Sequence, residues 1–222
     1  MKHTEKRLFY RVGKRLFDVV LSFVLTLLFL PLMLIVALSI VIADGGNPFF
    51  LHTRVGQGGA PLRVLKFRTM KKDAEALLET LSPAQKEEYE REYKLMDDPR
   101  LIGYQKEGGR SLGAFLRRTS LDELPQLFYN VLLLGNMSLV GPRPIVKEEL
   151  EKHYGEEEQK LLLSVKPGVT GFWQAYARGN ATYENGKRRE MELGYVKSRG
   201  FCKDAKILLK TVLAVISKAG AK

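Results

Sequence analysis

Between Asp18 and Asp44 lie 25 residues, Val19 to Ala43, without a single charge. A straight helix of that length measures about 37 Å, more than the roughly 30 Å hydrocarbon core of a bilayer. The run is too long for a cleaved signal peptide, and no small-residue cleavage site follows it. A soluble protein rarely buries a helix so uniformly apolar. The segment is therefore expected to enter a membrane.

Whether it crosses is a question of charge. Lys2, Lys6, Arg7, Arg11, Lys14 and Arg15 precede the run, and Arg54, Arg63, Lys66 and Arg68 follow it. Positive residues favour the cytoplasmic side, and one crossing cannot put both flanks there. Pro31 stands at the centre of the run, where it removes a helical hydrogen bond and bends the chain. The pattern predicts a re-entrant helix–break–helix that dips into one leaflet and returns. A kinked single span is the competing geometry, since membrane helices tolerate proline.

The stretch Arg117-Arg118-Thr119-Ser120-Leu121-Asp122-Glu123-Leu124-Pro125-Gln126-Leu127 holds the densest chemistry. Two cations run into two adjacent carboxylates near a helix start. Such a grouping suits work on a phosphate, one carboxylate attacking and the other holding a metal or moving a proton. Ser120 and Glu123 also match a capping box, an ordinary structural account. Pro125 argues for a helix start nearer Asp122, because proline fits only the first turn. Asp122 would then sit at the helix mouth, beside backbone N–H groups that can receive a phosphate.

A formal net charge of +11 over 222 residues calls for an anionic partner: nucleic acid, lipid headgroups or a phosphorylated substrate. Cys202 is alone, which excludes an internal disulfide or thiolate metal site. His3, His52 and His153 show no ligand spacing and read as surface or packing residues. Residues 49–68 predict a hairpin that turns at Gly56-Gln57-Gly58-Gly59, with Lys66 and Arg68 on one face of its second strand. Residues 71–95 predict an acidic, solvated helical pair broken at Ser82-Pro83, then a turn at Asp97-Asp98-Pro99-Arg100. Gly103 to Gly113 reads as a loop, and Leu112 to Arg118 as a short helix. In Gly141-Pro142-Arg143-Pro144 two prolines stiffen the backbone, so that Arg143 is offered from a rigid loop to a phosphate. Lys166 to Gln174 reads as a second rigid loop, followed by Arg178-Gly179-Asn180. Trp173 could stack on a base, lie at an interface or fill core. Phe201 to Lys218 predicts an amphipathic helix, with Lys203, Lys206, Lys210 and Lys218 toward anionic lipid or the apolar face packed on the domain.

Taken in order, these pieces resemble the monotopic phosphoglycosyl transferases, the bacterial sugar transferase family. The resemblance rests on Lys14-Arg15-Leu16-Phe17-Asp18, the Pro31-centred run, Lys66-Phe67-Arg68-Thr69-Met70, Asp97-Asp98-Pro99-Arg100, Thr119 to Leu127, Gly141-Pro142-Arg143-Pro144 and Lys166-Pro167-Gly168-Val169-Thr170-Gly171. It implies that Asp122 attacks the β-phosphate of a nucleotide diphosphate sugar and that a polyprenyl phosphate then takes the phosphosugar. Glu123 would be a magnesium ligand or proton handler, the metal lying at Asp122 and Glu123, and Arg143 between Pro142 and Pro144 would hold phosphate. Lys66, Arg68, Arg117 and Arg118 extend that set on electrostatic grounds alone. The family's re-entrant element agrees with the charge argument.

Lys94-Leu95, Gly141 to Val146 and Tyr195-Val196-Lys197 are similar to the undecaprenyl phosphate galactose or glucose branch, implying UDP-galactose or UDP-glucose as donor. Those relatives usually carry further membrane helices and another domain ahead of the catalytic part, whereas this sequence opens at the anchor. The stretch 103–110 is also longer than the family pattern. The expectation is an α+β, helix-rich protein: residues 1–48 a basic segment and re-entrant anchor, residues 49–222 a catalytic domain with a small β-hairpin and interfacial amphipathic helices. It would work at the cytoplasmic face of the bacterial inner membrane with Mg2+, a nucleotide sugar, polyprenyl phosphate and anionic lipids, without nucleic acid, homo-oligomerisation being left open. A membrane-tethered basic scaffold and an aspartyl-phosphate phosphatase are the rival readings.

Overall fold

A computed structural model of the chain describes residues 2–92, 95, 98–105, 111–177 and 186–216. The first element, α1 (Lys2–Asp44), is one helix with Pro31 inside it. The expected break does not interrupt the helix: proline lacks one N–H, so a single rung is lost while the leucine-, valine- and isoleucine-rich flanks continue. The helix stops where Gly45 and Gly46 take φ of 66° and 67°, and the Gly45 N–H closes on the Val41 carbonyl at 2.8 Å. Its middle shows large aliphatic side chains outward, among them Leu28 (66% exposed) and Leu38 (60%). That is the surface of a membrane-bound helix, and from Phe9 to Asp44 it is long and apolar enough to cross a bilayer.

The chain forms two compact units. The first comprises Met1–Leu30, Leu51–Lys66 and Glu123–Lys222. Within it β1 (Phe49–Val55) and β2 (Pro61–Phe67) make the expected hairpin, and Val55 bridges to Ile145. Leu62 and Val64 alternate inward on β2 and pack against Val131 and Met137. After Glu123 come a π-helix (Leu127–Leu133), β3 (Ser138–Val140), α5 (Lys147–His153), α6 (Glu156–Leu162), β4 (Gly168–Thr170), α7 (Phe172–Tyr176), α8 (Lys187–Ser198) and α9 (Phe201–Ile216).

The segments read as two stiff loops from sequence frame a parallel strand pair. β3 and β4 align Ser138 with Gly168 and Val140 with Thr170. A Cβ on Gly141 would fall 2.6 Å from the Gly168 nitrogen, and one on Gly171 would fall 2.3 Å from the Gly141 carbonyl oxygen. Glycine stands in both motifs because the two backbones touch there.

The main core joins Leu127, Leu139, Val140, Ala175, Tyr195, Val196 and Ile207, and Leu21, Leu25 and Phe29 of α1 pack onto it. Polar side chains of α1 add direction. Asp18 accepts from the Ser138 hydroxyl at 2.7 Å and the Leu139 N–H at 3.2 Å, and Arg15 donates to the Val131 carbonyl at 2.8 Å. Tyr10, Lys14 and Tyr195 each donate to Asp204 at 2.8 Å.

The second unit comprises Pro31–Phe50 and Phe67–Asp122. Its core is Val36, Ile40, Phe67, Ile102 and Leu116. It holds the acidic helices α2 (Ala74–Glu79) and α3 (Pro83–Glu92), parted before Pro83 as expected, and α4 (Leu112–Thr119), capped by the Ser111 hydroxyl on the Ala114 N–H at 3.0 Å. Asp98 and Arg100, both buried, form a two-bond ion pair at 2.7 and 2.8 Å. Asp97, Lys94, residues 106–110, Arg178-Gly179-Asn180 and Lys218 lie outside the described residues.

The buried Asn130 of the π-helix pairs with β2 as a strand would. Its Oδ1 accepts from the Leu65 N–H at 3.0 Å, and its Nδ2 donates to the Arg63 carbonyl at 2.8 Å. Asn130→Ala strands both backbone groups and is expected to cost roughly 1–3 kcal/mol. A denaturant melt of the detergent-solubilised protein measures this, and an unchanged midpoint would contradict the assignment.

Candidate functional site

Ser120 does not cap the helix after it. It is the left-handed C-cap of α4, with φ of 58°, and its N–H closes on Arg117 and Leu116. The capping-box reading is thereby corrected: the chain reverses at Ser120, and Leu121–Glu123 form one 3₁₀ turn. Pro125 begins the next helical turn, the position where its missing N–H costs nothing. Asp122, in the middle of the 3₁₀ turn, is 7% exposed. Within the second unit the Arg117 guanidinium acts electrostatically on Asp122, while its Nε donates to the Thr69 hydroxyl at 2.9 Å.

In the first unit a pocket opens beside Glu123. Its walls carry three cations, Arg54 of β1, Lys66 of β2 and Arg143, with Gln126 and Gln174 as amides and Val64, Pro144, Gly168 and Val169 between them. Leu62, Val64 and Lys66 share one face of β2, so the strand that buries its first two members brings the third to the pocket wall. There the Lys66 Nζ meets the Glu123 Oε1 at 2.7 Å.

Arg143 leaves the end of β3 between two prolines, as its motif suggests. Its guanidinium lies 5.6 Å from the centre of the Trp173 ring, and Arg188 lies 4.4 Å from the same ring. Arg188 pairs with Glu149 at 3.2 Å, and the Tyr154 hydroxyl donates to Glu192 at 3.1 Å. Burial pushes the Glu192 carboxyl up, against the Arg188 charge and the hydrogen bond from Tyr154. Trp173 is thus a platform for guanidinium groups that steadies the arginine loop. Pro142 is buried and Pro144 lines the pocket.

Of the sequence-derived candidates, Lys66, Glu123, Arg143 and Pro144 come together. Arg68, Arg117 and Arg118 are not among the pocket residues. Arg68 is occupied by the end of α1: it bonds Asp44 and the carbonyls of Gly45 at 2.6 Å and Asn47 at 2.9 Å. Arg118 is exposed. Arg54, Gln126 and Gln174 were not singled out from sequence, although His52 and Arg54 alternate on β1 just as Leu62 and Val64 do on β2. His52 is neither a surface nor a plain packing residue. Its Nδ1 lies 3.3 Å from an Arg54 nitrogen, and burial together with the Arg54, Lys66 and Arg143 charges pushes its pKa down to about 4.

No group of three or more His, Cys, Asp and Glu side chains gathers among the described residues. A magnesium ion held by the Asp122 and Glu123 carboxylates would have to draw most of its shell from water and substrate phosphates.

A family model described as "Bacterial sugar transferase" matches residues 9–218. An uncharacterized sugar transferase of Haemophilus influenzae is 40% identical over 100% of this chain and 44% of its own length. The undecaprenyl-phosphate galactose phosphotransferase of Salmonella typhimurium is 39% identical over 95% of this chain and 42% of its own. The exopolysaccharide production protein ExoY of Rhizobium meliloti is 37% identical over 95% of this chain and 88% of its own. The chain spans less than half the length of the first two relatives.

The His52 shift has a consequence for acid stability. The unfolded imidazole takes a proton near pH 6.5 and the folded one only near pH 4, so stability is lost as pH falls through that window. His52→Gln is expected to lose less thermal stability between about pH 7 and about pH 5 than the parent. Parallel acid sensitivity in the two melting curves would contradict the placement of His52.

Proposed function

The chain belongs to the bacterial sugar transferase family, and from that premise we propose that it moves a hexose 1-phosphate from a UDP-sugar to undecaprenyl phosphate. The transfer would begin surface polysaccharide assembly, with UDP-galactose or UDP-glucose as donor. The observation that carries the reading is the Lys66–Glu123 pair on the wall of a pocket shared with Arg143, one residue along the chain from a buried aspartate. A scaffold protein needs no such arrangement of acids and cations, and the relatives' names speak of sugar or galactose phosphate transfer and of exopolysaccharide production.

The proposed reaction has two steps. An Asp122 carboxylate oxygen attacks the β-phosphorus of the UDP-sugar, an aspartyl O–P bond forms, and the bond to the α-phosphate breaks with release of UMP. A phosphate oxygen of undecaprenyl phosphate then attacks the same phosphorus, its bond to Asp122 breaks, and the carboxylate is restored. Arg143 and Lys66 bind and orient donor phosphates. Glu123 holds a metal with the phosphates or handles the acceptor's proton. Bound magnesium supplies charge neutralisation at the diphosphate and the departing nucleotide.

The same reading sets α1 as a re-entrant helix in the bacterial inner membrane, turned back by a bend at Pro31 rather than by a break, with the catalytic residues at the cytoplasmic face. Its support is the run of like charge on both flanks and the proline at the centre. α9 would lie along the interface: Leu209 and Val212 are exposed, with Lys206 and Lys210 close by in sequence. A soluble donor and a lipid acceptor then meet at headgroup depth.

Asp122→Asn is expected to abolish UMP release and to leave no covalent label from donor radiolabelled in the sugar phosphate. Activity like that of the parent would remove Asp122 as nucleophile. For topology, single cysteines placed near residue 5 and near residue 58 in a Cys202→Ser background should react with an impermeant maleimide from the same face of sealed vesicles. Reaction from opposite faces would replace re-entry with a single span.

A further inference from the structure

The charges of the pocket do not balance. Lys66 is answered by Glu123 at 2.7 Å, and outside the pocket Arg68 is met by Asp44, Arg100 by Asp98, and Arg188 by Glu149. Arg54 and Arg143 have no carboxylate at ion-pair distance among the described residues, although Glu149 and Glu123 act on Arg54, and Glu192 on Arg143, from farther off. Among the described residues neither forms an ion pair, and the one side-chain hydrogen-bond partner of the partly buried Arg54 is the neutral His52 ring. A guanidinium offers five N–H donors in a rigid fork. Taking it out of water without a counter-charge is costly. Burial, aided by the adjacent Arg143 charge, accordingly pulls Arg54 down to about 10, still cationic at neutral pH. Two like charges side by side in one pocket, with carboxylates near but none in contact, favour an added anion.

We infer that Arg54 and Arg143 form a two-arginine clamp for the diphosphate bridge of the nucleotide sugar, with His52 as a positioning residue that holds the Arg54 fork. The inference rests on the donor reading above and adds a substrate-binding residue to it. The clamp's two arms come from different parts of the chain, the edge of the hairpin and the loop after β3. They enter the same pocket, and each is held in place by its own neighbours: Arg143 over Trp173, Arg54 against the imidazole. Two bidentate forks match the oxygen-rich faces of two linked phosphates, whereas a single phosphate would leave one guanidinium unanswered. A neutral His52 serves here because its Nδ1 can accept an N–H from Arg54 without adding a third positive charge.

The test is calorimetric titration of the full-length, detergent-solubilised protein with UDP, inorganic pyrophosphate and, as an anion-free control, uridine. Arg54→Gln should weaken UDP and pyrophosphate by roughly 10- to 100-fold, the range for lost charged hydrogen bonds, and leave uridine unchanged. Arg54→Lys keeps the charge but not the fork and should recover only part of the loss. If Arg54→Gln fails to fold, the lysine variant carries the test, and pyrophosphate affinity equal to the parent's overturns the clamp. Unchanged UDP affinity in folded Arg54→Gln overturns it as well. Failure of the transferase reading looks different: the parent would release no UMP while its pyrophosphate binding still depended on Arg54.

Discussion

Asp204 is 3% exposed and receives three hydrogen bonds, from Tyr10, Lys14 and Tyr195. Much of the first unit depends on it. A lipid-facing helix gains little by packing its aliphatic side against more aliphatic surface, so polar contacts must fix where α1 joins the body. Lys14 supplies a charge to a buried carboxylate, and the two tyrosines take two more of its acceptor sites. Burial and the Asp204 charge push the Tyr195 hydroxyl far up, which keeps it a donor. Asp18 repeats the device one turn further along, against the Ser138 hydroxyl and the Leu139 N–H. Breaking such a buried arrangement by removing one partner costs about 3–5 kcal/mol, while burying the same area in leucine would set no position along the helix.

The parallel strand pair fastened by Asp18 also carries the functional loop. β3 runs directly into Gly141-Pro142-Arg143-Pro144, and the close backbone contact of Gly141 with Gly168 and Gly171 leaves no slack for that loop. Lys66 is held from the other direction. Asn130 grips β2 on both sides of Val64, and Lys66 is the next inward residue. The pocket cations are thus placed by backbone contacts a few residues away, which is how flexible side chains come to act as fixed charges.

Some of this was legible in the sequence for identifiable reasons. The apolar run, the hairpin turn and the split before Pro83 come from local rules on charge, glycine and proline. Lys66, Glu123 and Arg143 stand out in the sequence because paired charges and a proline-framed arginine are unusual at short range. Other features depend on partners distant in sequence. Alternation would put Arg68 on one strand face with Lys66, yet β2 ends at Phe67 and Arg68 serves the end of α1, which no spacing rule reveals. Lys14 and Arg15 count as flanking positive charges in a linear reading, but one faces Asp204 and the other a carbonyl. Ser120 fits a cap pattern, and only the left-handed backbone excludes it. The strand pair joins segments about 30 residues apart and is too short to show alternation. His52 has no ligand spacing in the sequence, and its surroundings are set by Arg54 on the same strand face and by cations distant in sequence.

The helix from Leu127 to Leu133 closes its hydrogen bonds one residue farther along than an α-helix would. Such a widened turn amounts to a one-residue insertion that the fold has kept. Excising a residue on either side of Asn130 would return the segment to ordinary winding and re-aim the side chains within it. Asn130 would swing off its strand, so related chains that retain this grip should also retain the length of this segment, even where its apolar residues are exchanged.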